Sequence, residues 1–131
     1  MYQQLFALVK MMAKQGHLEP TGQAKITPAF NLPSAYVLHT VGPIISGALL
    51  AKDCELLASC YRSCLELARQ HGIECVAFCC ISTGEFRFPN REAAEIAVRT
   101  VKAFLSDNPQ MKVVFNVFKD VDLEIYRGLL R

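Results

Sequence analysis

The chain has 131 residues, of which 52% are apolar and 20% charged, and its formal net charge is +2. That composition supports a packed core within one domain and excludes a disordered chain. So small a net charge supplies no basic stripe for nucleic acid, and the longest apolar run, residues 75–81, is far short of the roughly 18 residues of a membrane span, so neither nucleic acid nor membrane is an expected partner.

Residues 1–10 show no cleavable signal pattern, because Gln interrupts the apolar residues and Lys follows them. The expected compartment is therefore the cytoplasm. Residues 2–14 read as a helix, with Leu5, Leu8, Val9 and Met12 at helical spacing and Gly16 closing its end. A loop follows at 17–22, then a short strand at 24–27 and a turn bracketed by Pro28 and Pro33. Residues 36–41 form a β-rich run stopped by Gly42 and Pro43.

A long amphipathic helix opens near Lys52 or Asp53 and runs to about His71. Leu57, Tyr61, Cys64, Leu65 and Ala68 make its apolar stripe, and Gly72 caps it. Residues 75–81 are apolar without alternation, the mark of a strand buried on both faces. A loop at 82–89 leads to a helix from the N-cap candidate Asn90 to about Leu105, with Ala94, Ala97, Val101 and Phe104 inward. Residues 112–118 are a second buried strand, and a terminal helix starts at Asp120 or Asp122. The order α, β, β, α, β, α, β, α predicts an α/β fold, a mixed or parallel sheet with helices on both faces.

Six cysteines, at 54, 60, 64, 75, 79 and 80, all fall in apolar segments. They read as free, reduced thiols packed in the core. No CxxC pair and no His at ligand spacing accompanies them, so no metal ligand is assigned.

In open α/β sheets, ligands gather beyond the carboxyl ends of the strands. Two segments lie there. The first is the loop Ser82, Thr83, Gly84, Glu85, Phe86, followed by Arg87, Phe88 and Pro89. Small hydroxyl residues and a glycine let backbone N–H groups turn toward an anion. The same loop also reads as an ordinary strand-to-helix turn, since it lacks the Walker and Gly-x-Gly-x-x-Gly patterns. The second is the end of the last strand, Asn116, Val117 and Phe118, where an aromatic face could stack on a base or simply fill the rim of the core. Glu85 sits awkwardly beside a bound anion. It points to solvent, pairs with Arg87, or takes a catalytic role. His39 reads as a hydrogen-bonded sheet histidine, and no nucleophile elbow surrounds Ser82.

Together these segments resemble the macrodomain family. The resemblance rests on Tyr-Val-Leu-His-Thr-Val-Gly-Pro at 36–43, Ile-Ser-Thr-Gly-Glu-Phe-Arg-Phe-Pro at 81–89 and Phe-Asn-Val-Phe at 115–118. Gly22-Gln23-Ala24 and Asn31-Leu32-Pro33 fit the strand and loop before the first of them. The Ser-Thr-Gly-Glu-Phe form behind a Cys-rich strand is most similar to the bacterial zinc-dependent, sirtuin-associated subfamily, whose members remove mono-ADP-ribose from proteins. The resemblance implies that Ser82, Thr83, Gly84, Glu85 and Phe86 line the diphosphate and proximal ribose, and that Phe118 stacks against adenine.

Residues 1–16 contain no counterpart of the family's upstream segment. In the family, that segment carries the Asp that reads the adenine amine, the Asn beside the distal ribose and, in the zinc subfamily, the metal ligands. The expectation is thus one macrodomain spanning 1–131, a three-layer α-β-α fold around a mixed sheet that lacks the first strands. It would bind ADP-ribose or an ADP-ribosylated protein without zinc or any other cofactor, and would associate as a homo-oligomer through the edge that the missing strands leave open. Two alternatives stand beside it: an active protein-ADP-ribose hydrolase using Glu85, and a non-catalytic protein that oligomerises through its open sheet edge.

Overall fold

The computed structural model of the chain describes residues 2–131. The elements follow in the expected order: α1 (Tyr2–Gln15), β1 (Ala24–Pro28), β2 (Tyr36–Thr40), α2 (Ala51–Gln70), β3 (Cys75–Phe78), α3 (Asn90–Asp107), β4 (Lys112–Phe115) and α4 (Asp120–Leu130). Gly16 and Gly72 end α1 and α2 at φ of 84° and 67°, the left-handed region that glycine enters without a Cβ clash. No helix among the described residues is long and apolar enough to cross a membrane.

The core is built by α2 and α3. The stripe predicted for α2 is buried as a whole, from Leu57 to Ala68, and so are Ala94, Ala97, Val101 and Phe104 of α3. Alanines on α3 let the two helices approach closely, while Leu57 and Leu65, both 0% exposed, each supply roughly 1.5–3 kcal/mol of apolar burial. Aromatic rings connect the helices to the strands. Tyr61 packs on Phe78 with centroids 4.9 Å apart, Phe78 on Phe115 at 6.5 Å, and Phe115 on Tyr126 of α4 at 4.9 Å.

The fold is mixed α/β, as expected, but the strands do not join into one sheet. β1 and β2 pair antiparallel and β3 and β4 pair parallel, giving two sheets of two strands each. Nor are the last two strands buried on both faces. Along β3, Val76 and Phe78 are buried whereas Cys75 and Ala77 are exposed, and Val114 of β4 is 42% exposed. Both strands are also shorter than the apolar runs that predicted them. Side chains alternate across a strand, and the face of β3 that carries Val76 and Phe78 joins the core, while Cys75, Ala77 and, on β4, Val114 are left open. An unbroken apolar run cannot report which faces have a partner.

Three local expectations are also corrected. Helix α2 opens at Ala51, with Leu50 at the N-cap position; the Leu50 N–H donates to Asp53 Oδ2 at 3.0 Å, so Asp53 serves the first turn from inside it. Pro89, not Asn90, precedes the first turn of α3, and the Asn90 amide instead donates to buried Asp122 of α4 at 2.6 Å. Among the described side chains of α1 the buried one is Gln4, which donates to the Ala29 carbonyl, while Leu5 and Val9 are half exposed. Proline at 28 is compatible with β1: its ladder partner is Tyr36, and that pair lies between the hydrogen-bonded pairs of the ladder, where no N–H is required of it.

Candidate functional site

The chain leaves β3 through Cys79, Cys80 and Ile81 and turns sharply at Ser82. Ser82 has φ 66° and Arg87 has φ 63°, a region that costs a non-glycine residue roughly 1–2 kcal/mol. Three backbone bonds hold the turn in that state. Phe88 N–H donates to Ser82 O at 2.8 Å, Arg87 N–H to Gly84 O at 3.0 Å, and Ile45 N–H to Phe86 O at 2.8 Å. Phe88, 1% exposed, anchors the far end of the loop in the core. Thr83 Oγ1 donates to Cys80 O at 3.3 Å.

Gly42, just beyond β2, lies against this turn. A Cβ there would stand 2.0 Å from Ser82 Oγ and 2.8 Å from Ile81 Cγ2. The Gly42–Pro43 turn therefore has a packing reason that its sequence did not disclose. Gly84 is the opposite case: a Cβ added there meets nothing within 4 Å. Among the described residues, the amides of Gly84, Glu85 and Phe86 donate to no backbone carbonyl. Three consecutive N–H groups beside an open glycine are the kind of donor set that accepts a phosphate oxygen.

The other predicted positions spread out from this loop. Glu85 is exposed and, among the described residues, forms no ion pair with Arg87 or any other cation. Asn116 is exposed, with its own N–H donated to Phe78 O at 2.7 Å. Phe118 is 97% exposed, so it is not a core aromatic, and its face is free.

A groove of about 1050 Å3 runs between β2 and β3, and Ser82 and Phe86 line it; Thr83, Gly84, Glu85, Asn116 and Phe118 do not. The loop thus touches the groove through two residues, while the proposed stacking aromatic stands apart. His39 is half-buried on β2, with Nε2 3.0 Å from Thr27 Oγ1, and burial lowers its pKa. It holds the first sheet together, as the sequence suggested.

The cysteines divide. Cys60 and Cys64 are buried, Cys54 and Cys80 are partly buried, and Cys75 and Cys79 are exposed; all six are free. The expectation that all six pack in the core fails at 75 and 79, on the uncovered face of β3. Burial pushes the Cys64 thiol up to about 12 and the Cys80 thiol to about 11. No group of three or more His, Cys, Asp or Glu among the described residues is placed to hold a metal ion.

Sequence reasoning overlooked Glu19. Its side chain is 4% exposed, its nearest cation is Lys25 Nζ at 3.9 Å, and neither carboxylate oxygen has a hydrogen-bond partner among the described residues. It also lines the groove. A loop Glu next to Pro20 carries no periodic signal that would have marked it as buried.

The Macro domain family model matches residues 3–97. A protein-ADP-ribose hydrolase of Treponema medium is 61% identical over 121 residues, which is 92% of this chain and 46% of that protein. One from Staphylococcus aureus strain MSSA476 is 55% identical over 120 residues, 90% of this chain and 45% of its own length. The chain therefore spans about half the length of the curated relatives it matches. Among solved structures, a macrodomain of Oceanobacillus iheyensis with ADP superposes with a TM-score of 0.87 at 39% identity, over 96% of this chain and 67% of that one. A variant of the same macrodomain with ADPR gives 0.89 at 39% identity, over 96% and 68%.

Proposed function

The chain belongs to the Macro domain family, and on that premise we propose that it binds ADP-ribose, free or attached to protein, through the loop at 82–86. The observation that carries this reading is the run of unspent N–H groups at Gly84, Glu85 and Phe86 beside a glycine with open space around it. Those donors would take the diphosphate. The exposed ring of Phe118 would stack on the adenine of the same ligand, a contact worth roughly 1–3 kcal/mol. The solved relatives with ADP and ADPR favour a nucleotide of this class. Adding ADP-ribose to labelled protein should shift the backbone amide resonances of Gly84, Glu85 and Phe86 before those of β1. Shifts confined to other segments would reject the loop as the site.

A second reading, hydrolysis, is favoured by relatives that carry the name protein-ADP-ribose hydrolase at 61% and 55% identity. Glu85 is the one carboxylate of the loop, exposed and without an ion pair among the described residues. In this reading Glu85 accepts a proton from a water that attacks C1″ of the ribose, the bond from C1″ to the protein-linked oxygen breaks, and the proton passes to that oxygen. Release of ADP-ribose from a modified protein should then be lost in Glu85→Gln while binding persists. Equal turnover by both proteins would leave binding as the sole function of the loop.

A further inference from the structure

We infer that Asn90 and Asp122 are positioning residues of the nucleotide site: their hydrogen bond sets the spacing between the loop that takes the diphosphate and the ring that takes the adenine. This inference rests on the ADP-ribose reading above and extends it to two residues outside the loop.

The two halves of that site sit on segments far apart in the chain. The loop leaves through Pro89, and Asn90 is the first residue of α3. Phe118 precedes Lys119, the N-cap residue of α4, and Asp122 lies in the first turn of that helix. Asn90 Nδ2 donates to Asp122 Oδ1 at 2.6 Å. One side-chain bond thus ties the exit of the diphosphate loop to the start of the helix that follows Phe118.

Asp122 does more than serve its own helix. An acid in the first turn complements the partial positive charge of a helix N-terminus, and it can do so from an exposed position. Asp120 is exposed and fills that role in α4, whereas Asp122 is 6% exposed. No salt bridge among the described residues reaches Asp122. A buried carboxylate without a cation is costly unless hydrogen bonds hold it. The amide of Asn90 provides one, and a bond to a charged acceptor is stronger than a neutral one.

The loop needs such a hold. Ser82 and Arg87 both adopt the left-handed region, at φ 66° and 63°, and such conformations persist only where the surroundings over-determine them. Phe88, buried two residues before Asn90, donates its N–H to Ser82 O and closes the loop. Fixing Asn90 therefore reaches Ser82 through Phe88. On the other side, Tyr126 lies four residues after Asp122, on the same face of α4. It is buried, with its ring 4.9 Å from Phe115 of β4. Helix α4 is thus seated on the strand that leads to Phe118, and a displaced Asp122 would move the start of α4 and Phe118 with it.

Reversing the pair in the intact chain tests the inference. At neutral pH, Asn90→Asp sets a second carboxylate against Asp122 and should open the bond. Adding Asp122→Asn restores an amide–carboxylate pair with the roles exchanged. In Asn90→Asp the amides of Arg87 and Phe88 should exchange with solvent about tenfold faster, while those of Leu65 and Ala97 in the core keep their rates. ADP-ribose affinity, measured by calorimetry, should fall about tenfold. The double variant should recover both properties, and Asp120→Asn should change neither. Equal acceleration of loop and core amides, or a double variant no better than the single one, would overturn the proposal. Wild-type binding that Asn90→Asp leaves unchanged would overturn it and leave the ADP-ribose reading standing. Absence of binding by the wild type would overturn both.

Discussion

Gly42 and Ser82 are in mutual contact so close that the first can carry no side chain: a Cβ on Gly42 would fall 2.0 Å from Ser82 Oγ. The contact joins the end of β2 to the turn that follows β3. It braces Ser82 in its left-handed conformation, and so sets the loop proposed to hold the diphosphate. Gly42→Ala should therefore destabilise the fold by about 1–3 kcal/mol through overpacking, seen as a lower denaturant midpoint. It should also weaken ADP-ribose binding by displacing Ser82. An alanine variant as stable as the parent would show that the turn yields freely.

His39 gives the stability a pH dependence of definite sign. Burial lowers its pKa below the ordinary 6.5, so between that value and the lower folded one the unfolded chain binds the proton more readily. Stability is complete above about 6.5 and is lost as pH falls through the folded value. Thr27 Oγ1 can donate to neutral Nε2, and protonation removes that acceptor. Thermal unfolding at pH 8 and pH 5 should show a decline with acid that is smaller in His39→Gln. The same decline in both proteins would assign it to other groups.

Thiol reactivity should follow exposure. Iodoacetamide at neutral pH should label Cys75 and Cys79, which are exposed, in the native protein. Cys64, buried and with its thiol pushed up to about 12, should label only after unfolding. Mass spectrometry of a time course decides this, and labelling of Cys64 as fast as Cys79 would contradict the packing of α2.

Most elements were legible in the sequence because their signals are local. The α2 stripe from Leu57 to Ala68 repeats at helical spacing, and Gly16 and Gly72 end helices where they stand. The turn at 82–89 and the motifs around it were enough to point to the family. What the sequence concealed depends on partners distant along the chain. Whether β3 has a neighbour on its second face decides the exposure of Cys75 and Ala77, and nothing in residues 75–81 encodes that. The link from Asn90 to Asp122 crosses from α3 to α4, and a cap signal at Asn90 was the only local reading available. In the site, the loop residues were legible as a motif. The buried carboxylate of Glu19 and the contact of Gly42 with Ser82 were not, since both arise from tertiary proximity.

The central claim is that loop 82–86 binds ADP-ribose, and titration calorimetry of the wild-type chain against Gly84→Val and Phe118→Ala tests it most directly. Because a Cβ at Gly84 meets no protein atom within 4 Å, the valine should leave stability within about 0.5 kcal/mol and remove binding by occupying the space of the phosphate. Phe118→Ala should weaken binding about tenfold, the equivalent of about 1.4 kcal/mol of lost stacking. Binding by the wild type that both substitutions leave unchanged would contradict the account and place the ligand elsewhere on the protein.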